Sequence, residues 1–299
     1  MSITAKELAK KLCLSEAAIS MGLNNKPGVS TDTRKRILEA AQKYGYDFSR
    51  IHPAEKIQID RGIIYLVVFR KNGALIPDPP VSIISNHGIN VPDVSFFAQL
   101  SEGIAATSKS YGFHLNISYL YNEDDIDNFI GEFKRFHAKG VLILGTEMCE
   151  HELRPFVKNH VPFVLIDNYF EGQNANYILI NNVQGAYLAT EYLIHKNLGQ
   201  PGYLRSSYLI TGFEERADGF YKAVRKNGMA TSRSIVHELT PSVEGAYYDM
   251  KELLKSNVEL SKCYFADNDQ IAAGALRAFT EAGYRIPQDI SIIGFDDMP

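Results

Sequence analysis

The chain has 299 residues, 45% of them hydrophobic and 22% charged, with a formal net charge of −4. Those values belong to ordinary globular protein, and the length allows a small domain plus a two-lobed body. The longest clear apolar run, Ile63 to Phe69, is too short to span a bilayer. The N-terminus carries Lys6, Glu7, Lys10 and Lys11 instead of the apolar core of a secretion signal. The expectation is a cytoplasmic protein without a membrane partner. Three cysteines, Cys13, Cys149 and Cys263, are odd in number and far apart. They fit neither a disulfide framework nor a zinc site and are read as reduced thiols.

Residues 1–49 predict three short amphipathic helices. Thr4 followed by Glu7 is a capping box, with Leu8 and Leu12 on one face behind it. Leu12-Cys13-Leu14 makes a tight connection, and Ser15 caps a second helix whose Ile19 and Leu23 point inward. Asn24, Asn25, Pro27 and Gly28 break that helix. Ser30 caps a third, with Ile37, Ala41 and Tyr44 expected on its inner face. Two helices across a short turn, closed by a third, form the helix-turn-helix pattern, whose second helix enters the DNA major groove. Residues 1–50 hold nine Lys or Arg against five acids, a net of +4, so the other 249 residues carry −8. A basic head on an acidic body directs the head alone to a polyanion.

The run LSEAAISMGLNNKPGVSTDTRKRILEAAQKYGY resembles the DNA-binding head of the lac repressor (LacI) family, through its VS-x-x-TR block, apolar helix and closing GY. By position within that motif, Glu16, Ala17 and Met21 are the base-reading candidates, with Ser15 and Ser20 on the backbone side. The family usually has Arg, the best guanine reader, in the place of Met21; Met21 and Ala17 offer only apolar contact. The competing reading of Met21 is a cover for the outside of the head. Cys13 stands where the family usually has a turn Gly. A left-handed backbone there would cost about 1–2 kcal/mol. Asn24, Ser30, Thr33 and Arg34 are the phosphate-ligand candidates: short donors at helix starts plus one cation. Lys26, Lys35 and Arg36 are read as a solvated face.

Residues 50–61, RIHPAEKIQIDR, read as a linker. The resemblance implies a hinge helix with an apolar wedge in the minor groove. Here His52, Pro53 and Glu55 occupy the matching stretch, and Glu55 cannot be the wedge.

From Gly62 the pattern changes to apolar strands alternating with helices. GIIYLVVF reads as a strand buried on both faces. The Pro-rich segment that follows is too long for an ordinary strand–helix loop and reads as a flap or mobile excursion. The next helix, from Phe96 to about Tyr111, carries Leu100, Ile104 and Ala105. Further strands are expected at HLNISYL, GVLILG, PFVLID, NYILIN, YLRSSYLI, SIVHEL, CYFAD and SIIGF. That alternation predicts an α/β body, residues 62–299, of doubly wound parallel sheets. Two such lobes resemble the periplasmic-binding-protein-like body of the same family. Four runs carry that resemblance: SFFAQLSEGI, VLIDN, EERADGF and FADNDQIAAGALRAFTEAGYRIPQDISIIGFDD. In the family, further residues follow GFDD and complete the first lobe. The expectation from that comparison is a chain incomplete at its C-terminus, marginally stable and a poor dimer.

The ligand-pocket candidates are Phe96, Asp167, Arg216 and Asp269, each at a strand end or helix start facing the crevice where doubly wound sheets bind ligands. Asp and Arg hold vicinal hydroxyls bidentately, and an aromatic face stacks on the CH face of a sugar. The competing reading is an ion pair bridging the two lobes. Val94-Ser95 replaces the family's usual Asn-Pro before the aromatic pair. His137, His151, His160 and His195 read as surface residues, and no catalytic, metal-binding or cofactor motif is present. The combined expectation is a DNA-binding transcriptional regulator, a homodimer on a palindromic operator, controlled by a small effector of the sugar class. A sugar-binding protein with no DNA role is the alternative.

Overall fold

The structure, a computed structural model, describes residues 3–24, 26, 28–48, 60–71, 75, 96–197 and 199–298. The linker apart from Asp60 and Arg61, the Pro-rich excursion apart from Arg70, Lys71 and Leu75, Val94-Ser95, Asn25 and Pro27 lie outside the described residues. The chain clusters into two units, one of residues 1–61 with 110–112 and one of the remainder. Each is taken by itself.

The head has three helices, α1 (Ala5–Leu12), α2 (Glu16–Leu23) and α3 (Thr31–Lys43). Thr4 and Glu7 form the full capping box, and Ser15 and Ser30 accept the backbone N–H groups of Ala18 and Thr33. Leu8, Ile19, Leu23, Ile37 and Ala41 close a small core. Cys13 ends α1 in the left-handed region at φ 54°, the conformation that carries the steric cost of a Cβ. The expectation for Tyr44 fails: it is 39% exposed, with the Lys11 ammonium 4.5 Å from its ring centroid. The reason is local. Helix α3 ends at Lys43, and Gly45 adopts φ 69°. The N–H groups of Gly45 and Tyr46 then turn back onto the carbonyls of Gln42 and Ala41. That reversal is the usual left-handed stop of a helix. It turns Tyr46, not Tyr44, into the core, edge-on to Phe48.

The body holds two fully parallel sheets. The first lobe has β1 (Gly62–Phe69), β2 (Phe113–Leu120), β3 (Gly140–Leu144), β4 (Phe163–Ile166) and β5 (Asn176–Ile178) in the order β2-β1-β3-β4-β5. The second has β6 (Gly202–Ser206), β7 (Val236–Leu239), β8 (Cys263–Ala266) and β9 (Ser291–Ile293) in the order β7-β6-β8-β9. In both, the first strand sits between its two successors, which creates the switch point of a doubly wound sheet. Strand β1 is buried on both faces from Tyr65 to Phe69. Helices α5 (Glu123–Arg135) and α6 (Glu150–Lys158) pack Ile126, Phe129 and Phe156 onto one face. Helix α4 (Phe96–Ser110) packs Phe97, Leu100 and Ile104 onto the other, and Ala105 faces outward.

Most strands stop short of the expected run, β5 and β6 by the most. β6 stops at Ser206 because its Oγ accepts the Tyr208 N–H at 3.0 Å, a side-chain-closed turn. β5 is three residues at a sheet edge, and Ile178 and Leu179 are left exposed.

In the second lobe, α7 (Asn182–Asn197) and α8 (Thr211–Lys226) cover one face, and α9 (Val243–Lys255) and α10 (Asp269–Glu281) the other. Both pairs cross at a glycine. A Cβ at Gly219 would press into the Val183 carbonyl, and one at Gly274 into the Val243 carbonyl. We expect Gly219→Ala to cost about 1–3 kcal/mol by overpacking, read as a lower urea midpoint at unchanged slope. An unchanged midpoint would mean that α7 and α8 move apart without cost.

Candidate functional sites

In the head, Glu16, Ala17 and Ser20 are exposed on α2. Met21 is half-buried, with its sulfur against Gly28, so it covers the turn while keeping part of its surface outside. The other candidates hold the helix ends together. Asn24 Nδ2 donates to the Ser20 carbonyl at 2.9 Å, and Ser30 Oγ and Thr33 Oγ1 are 2.8 Å apart. Arg34 Nη2 donates to the Lys26 carbonyl at 2.5 Å, while its Nε has no partner among the described residues. Arg34 therefore fixes the α2–α3 turn as well as carrying charge. Lys26, Lys35 and Arg36 are exposed.

In the body, a cavity of about 270 Å³ lies between the lobes. Its wall is built almost wholly from residues just past the carboxyl ends of strands. Thr146 follows β3, Asp167 follows β4, Ile210 and Phe213 follow β6, Pro241 follows β7, Asn268 and Asp269 follow β8, and Asp296 follows β9. Phe96, at the start of α4, adds an aromatic wall that is 39% exposed. Phe96, Asp167, Arg216 and Asp269 thus all line one cavity, at the place where open parallel sheets present ligand sites.

Arg216 is buried and makes four hydrogen bonds within the second lobe. Its Nη1 and Nη2 reach Asp296 at 3.4 and 3.0 Å, Nε donates to Asn182 Oδ1 at 2.9 Å, and Nη1 donates to the Asp267 carbonyl at 2.5 Å. The Phe295 ring lies 3.8 Å from the guanidinium carbon. Arg216 and Asp296 both belong to the second lobe, so this ion pair does not bridge the lobes. Sequence reasoning missed Asp296, Asn182 and Thr146. The GFDD run was visible as a resemblance, but nothing in one sequence says which acid a given Arg meets.

Asp167 adopts φ 64° and accepts the Thr146 hydroxyl at 2.7 Å. Burial holds its carboxyl above the usual range; Thr146 and Arg216 pull it down, and Asp296 and Glu215 push it up. Burial also raises Asp296 against the pull of Arg216. Beneath Arg216, Asp267 is wholly buried and accepts the Tyr203 hydroxyl at 2.5 Å and the Ser206 N–H at 2.6 Å. Burial pushes it up to about 6.

Among the described residues no group of His, Cys, Asp and Glu is arranged to hold a metal, and no helix is long and apolar enough to cross a membrane. His137, His151, His160 and His195 are exposed, and the cysteines are unpaired.

Fold and site together define a two-lobed ligand-binding protein of the periplasmic-binding type that also carries a helix-turn-helix head. Residues 89–298 match the family described as "Periplasmic binding proteins and sugar binding domain of LacI family". The chain is 30% identical over 300 residues to the HTH-type transcriptional regulator GalS of Salmonella typhimurium, covering 99% of this chain and 81% of that one. Among solved structures, a transcriptional regulator CelR–cellobiose complex matches with a TM-score of 0.64 at 20% identity, over 99% of this chain and 83% of that one. A lac repressor dimer bound to operator and the anti-inducer ONPF matches with a TM-score of 0.60 at 18% identity, over 100% and 83%. The chain belongs to the LacI family of DNA-binding transcriptional regulators controlled by a small ligand.

The Asp267 carboxyl gives a test by pH. Its folded value lies above the unfolded one, so between about pH 4 and 6 the folded state holds the extra proton. That contribution grows as pH falls through 6 and is lost above it. Relative to Asp267→Asn, the wild type should therefore gain stability from pH 7 to pH 5, at most about 1.4 kcal/mol per pH unit. Urea unfolding of both proteins measures it; a pH-independent difference would mean that Asp267 stays ionised.

Proposed function

We propose that this protein is a cytoplasmic repressor, regulatory and not catalytic, that binds a palindromic operator as a homodimer and whose DNA affinity is set by a sugar. Residues 1–49 form the DNA-reading head, residues 50–61 the linker, and residues 62–299 the sugar-binding body. The observation that carries the reading is the inter-lobe cavity, which joins an Arg216–Asp296 fork, Asp167, Asp269 and the Phe96 ring. Carboxylates and a guanidinium address hydroxyls, and aromatic rings address the apolar face of a sugar. The cellobiose complex and the operator-bound dimer among the structural relatives support the same pairing of ligand and DNA. In the head, Glu16, Ala17 and Met21 face bases beside Ser15 and Ser20, while Asn24, Ser30, Thr33 and Arg34 address phosphates. Two heads on one operator stand about 34–36 Å apart, or a multiple of it.

The logarithm of DNA affinity should fall linearly with the logarithm of salt concentration, by counterion release. Arg34→Ala should weaken all sequences about equally, and melting of the variant will separate phosphate loss from loosening of the turn held at Lys26. Salt-independent gel shifts, or a loss confined to one base position, would reject the phosphate role. On the ligand side, Arg216→Ala or Asp269→Ala should abolish sugar binding in calorimetry against a panel of sugars. Unchanged affinity in both rejects the site.

A further inference from the structure

Charge across the cavity is out of balance. Among the described residues its wall carries three carboxylates, Asp167, Asp269 and Asp296, and one cation, Arg216. Arg216 gives its fork to Asp296. Asp269 receives the Met298 N–H on Oδ2 at 2.7 Å and stands in the first turn of α10, where a helix N-terminus favours an anion. Asp167 makes no ion pair and accepts no backbone N–H among the described residues. Its Oδ2 takes the Thr146 hydroxyl, and its Oδ1 has no hydrogen-bond partner among the described residues.

Asp167 also stands alone by position. It follows β4 in the first lobe, whereas Arg216, Asp269 and Asp296 belong to the second. Its backbone φ of 64° and the Thr146 bond at 2.7 Å fix the carboxylate where it is. The nearby basic residue of the first lobe, Lys71, is paired with Glu152 at 3.2 Å and is not part of this wall. A carboxylate partly withdrawn from water and short of partners is costly until something supplies a donor.

We propose that the effector is an amine-bearing polyol of monosaccharide size, with its ammonium donating to Asp167 Oδ1 and its ring between Phe96 and Phe213. The inference rests on the cavity being a polyol site. The volume of about 270 Å³ is at the small end for ligand pockets. An ammonium restores charge balance: a hydroxyl and an ammonium can both donate to the Asp167 carboxylate, but only the ammonium adds the attraction between unlike charges. A phosphate or carboxylate on the ligand would face the three carboxylates, with the charge of the one guanidinium already paired with Asp296. The same wall therefore rejects sugar phosphates and sugar acids, which is discrimination by repulsion.

Calorimetry on the full chain at neutral pH tests this with glucosamine, galactosamine and mannosamine. Each is compared with its parent hexose, its N-acetyl derivative and its 6-phosphate. At least one hexosamine should bind about tenfold tighter than its parent and its N-acetyl form, and no 6-phosphate should bind. Asp167→Asn keeps an acceptor for Thr146 and tolerates positive φ, and it should bring the amine-to-parent ratio to about one. A parent hexose or a 6-phosphate that binds as tightly as the amine overturns the charge inference and leaves the polyol site standing. A preference that survives Asp167→Asn overturns the assignment to Asp167. Failure of every sugar form to bind overturns the polyol site, and this inference with it.

Discussion

The second lobe is organised around a buried guanidinium. Arg216 comes from α8, Asn182 from the start of α7, the Asp267 carbonyl from the end of β8 and Asp296 from the end of β9. Four elements that are distant in sequence meet at one charge, and the full set of bonds forms only when all four are in register. A buried cation is strongly unfavourable alone, and removing one partner of such a pair typically costs about 3–5 kcal/mol. The constraint sets the geometry of the cavity floor. The Arg216 guanidinium is pinned between the Phe295 ring at 3.8 Å and the carboxylate of Asp296. It presents a fixed edge to whatever enters, and positions fixed in advance are what a selective site requires.

Close helix crossing serves the same end. Gly219 lets α8 lie against the Val183 carbonyl on α7, and Arg216 sits one turn before that contact, facing Asn182. The glycine thus brings the helices near enough for a short hydrogen bond between them. Gly274 makes the equivalent crossing of α9 and α10, the helix pair that carries Val243 and Asp269 to the cavity. Packing and site share one cause: small residues at crossings place the helix N-termini beside the strand ends.

Much of this was legible from sequence where the signal is local. The capping residues Thr4, Ser15 and Ser30 announce the helix starts, and the unbroken apolar run at β1 announces a strand covered on both faces. Phe96, Asp167 and Asp269 were legible because strand-to-helix junctions in doubly wound sheets face the crevice, whereas Arg216, in the second turn of α8, was legible only through the EERADGF resemblance. Non-local pairing was not legible. Asp296 is 80 residues from Arg216, and no periodicity links them. Tyr44 differs for another reason: helical periodicity puts it on the inner face, but α3 ends at Lys43 and the reversal at Gly45 brings Tyr46 inward. β6 was drawn too long because the closing bond from Ser206 Oγ competes with the ladder, and apolar Leu209 and Ile210 beyond it look like strand.

Asp167 joins local strain to the two-lobed design. A non-glycine residue at φ 64° costs energy that Asp bears better than most, because its short side chain bonds nearby groups. Here that bond comes from Thr146, one strand away. Strain of this kind persists only where the surroundings over-determine it, and it gathers at ligand sites. Asp167 directly follows β4 and Thr146 comes two residues after β3, so both groups belong to the first lobe. The Asp167 carboxylate has its electrostatic neighbours Arg216, Asp296 and Glu215 in the second. The energy of that one side chain therefore depends on the separation of the lobes. A ligand that bonds Asp167 on one side and the Arg216–Asp296 fork on the other has a differential affinity for the closed arrangement, which is the physical condition for a ligand to shift a conformational equilibrium.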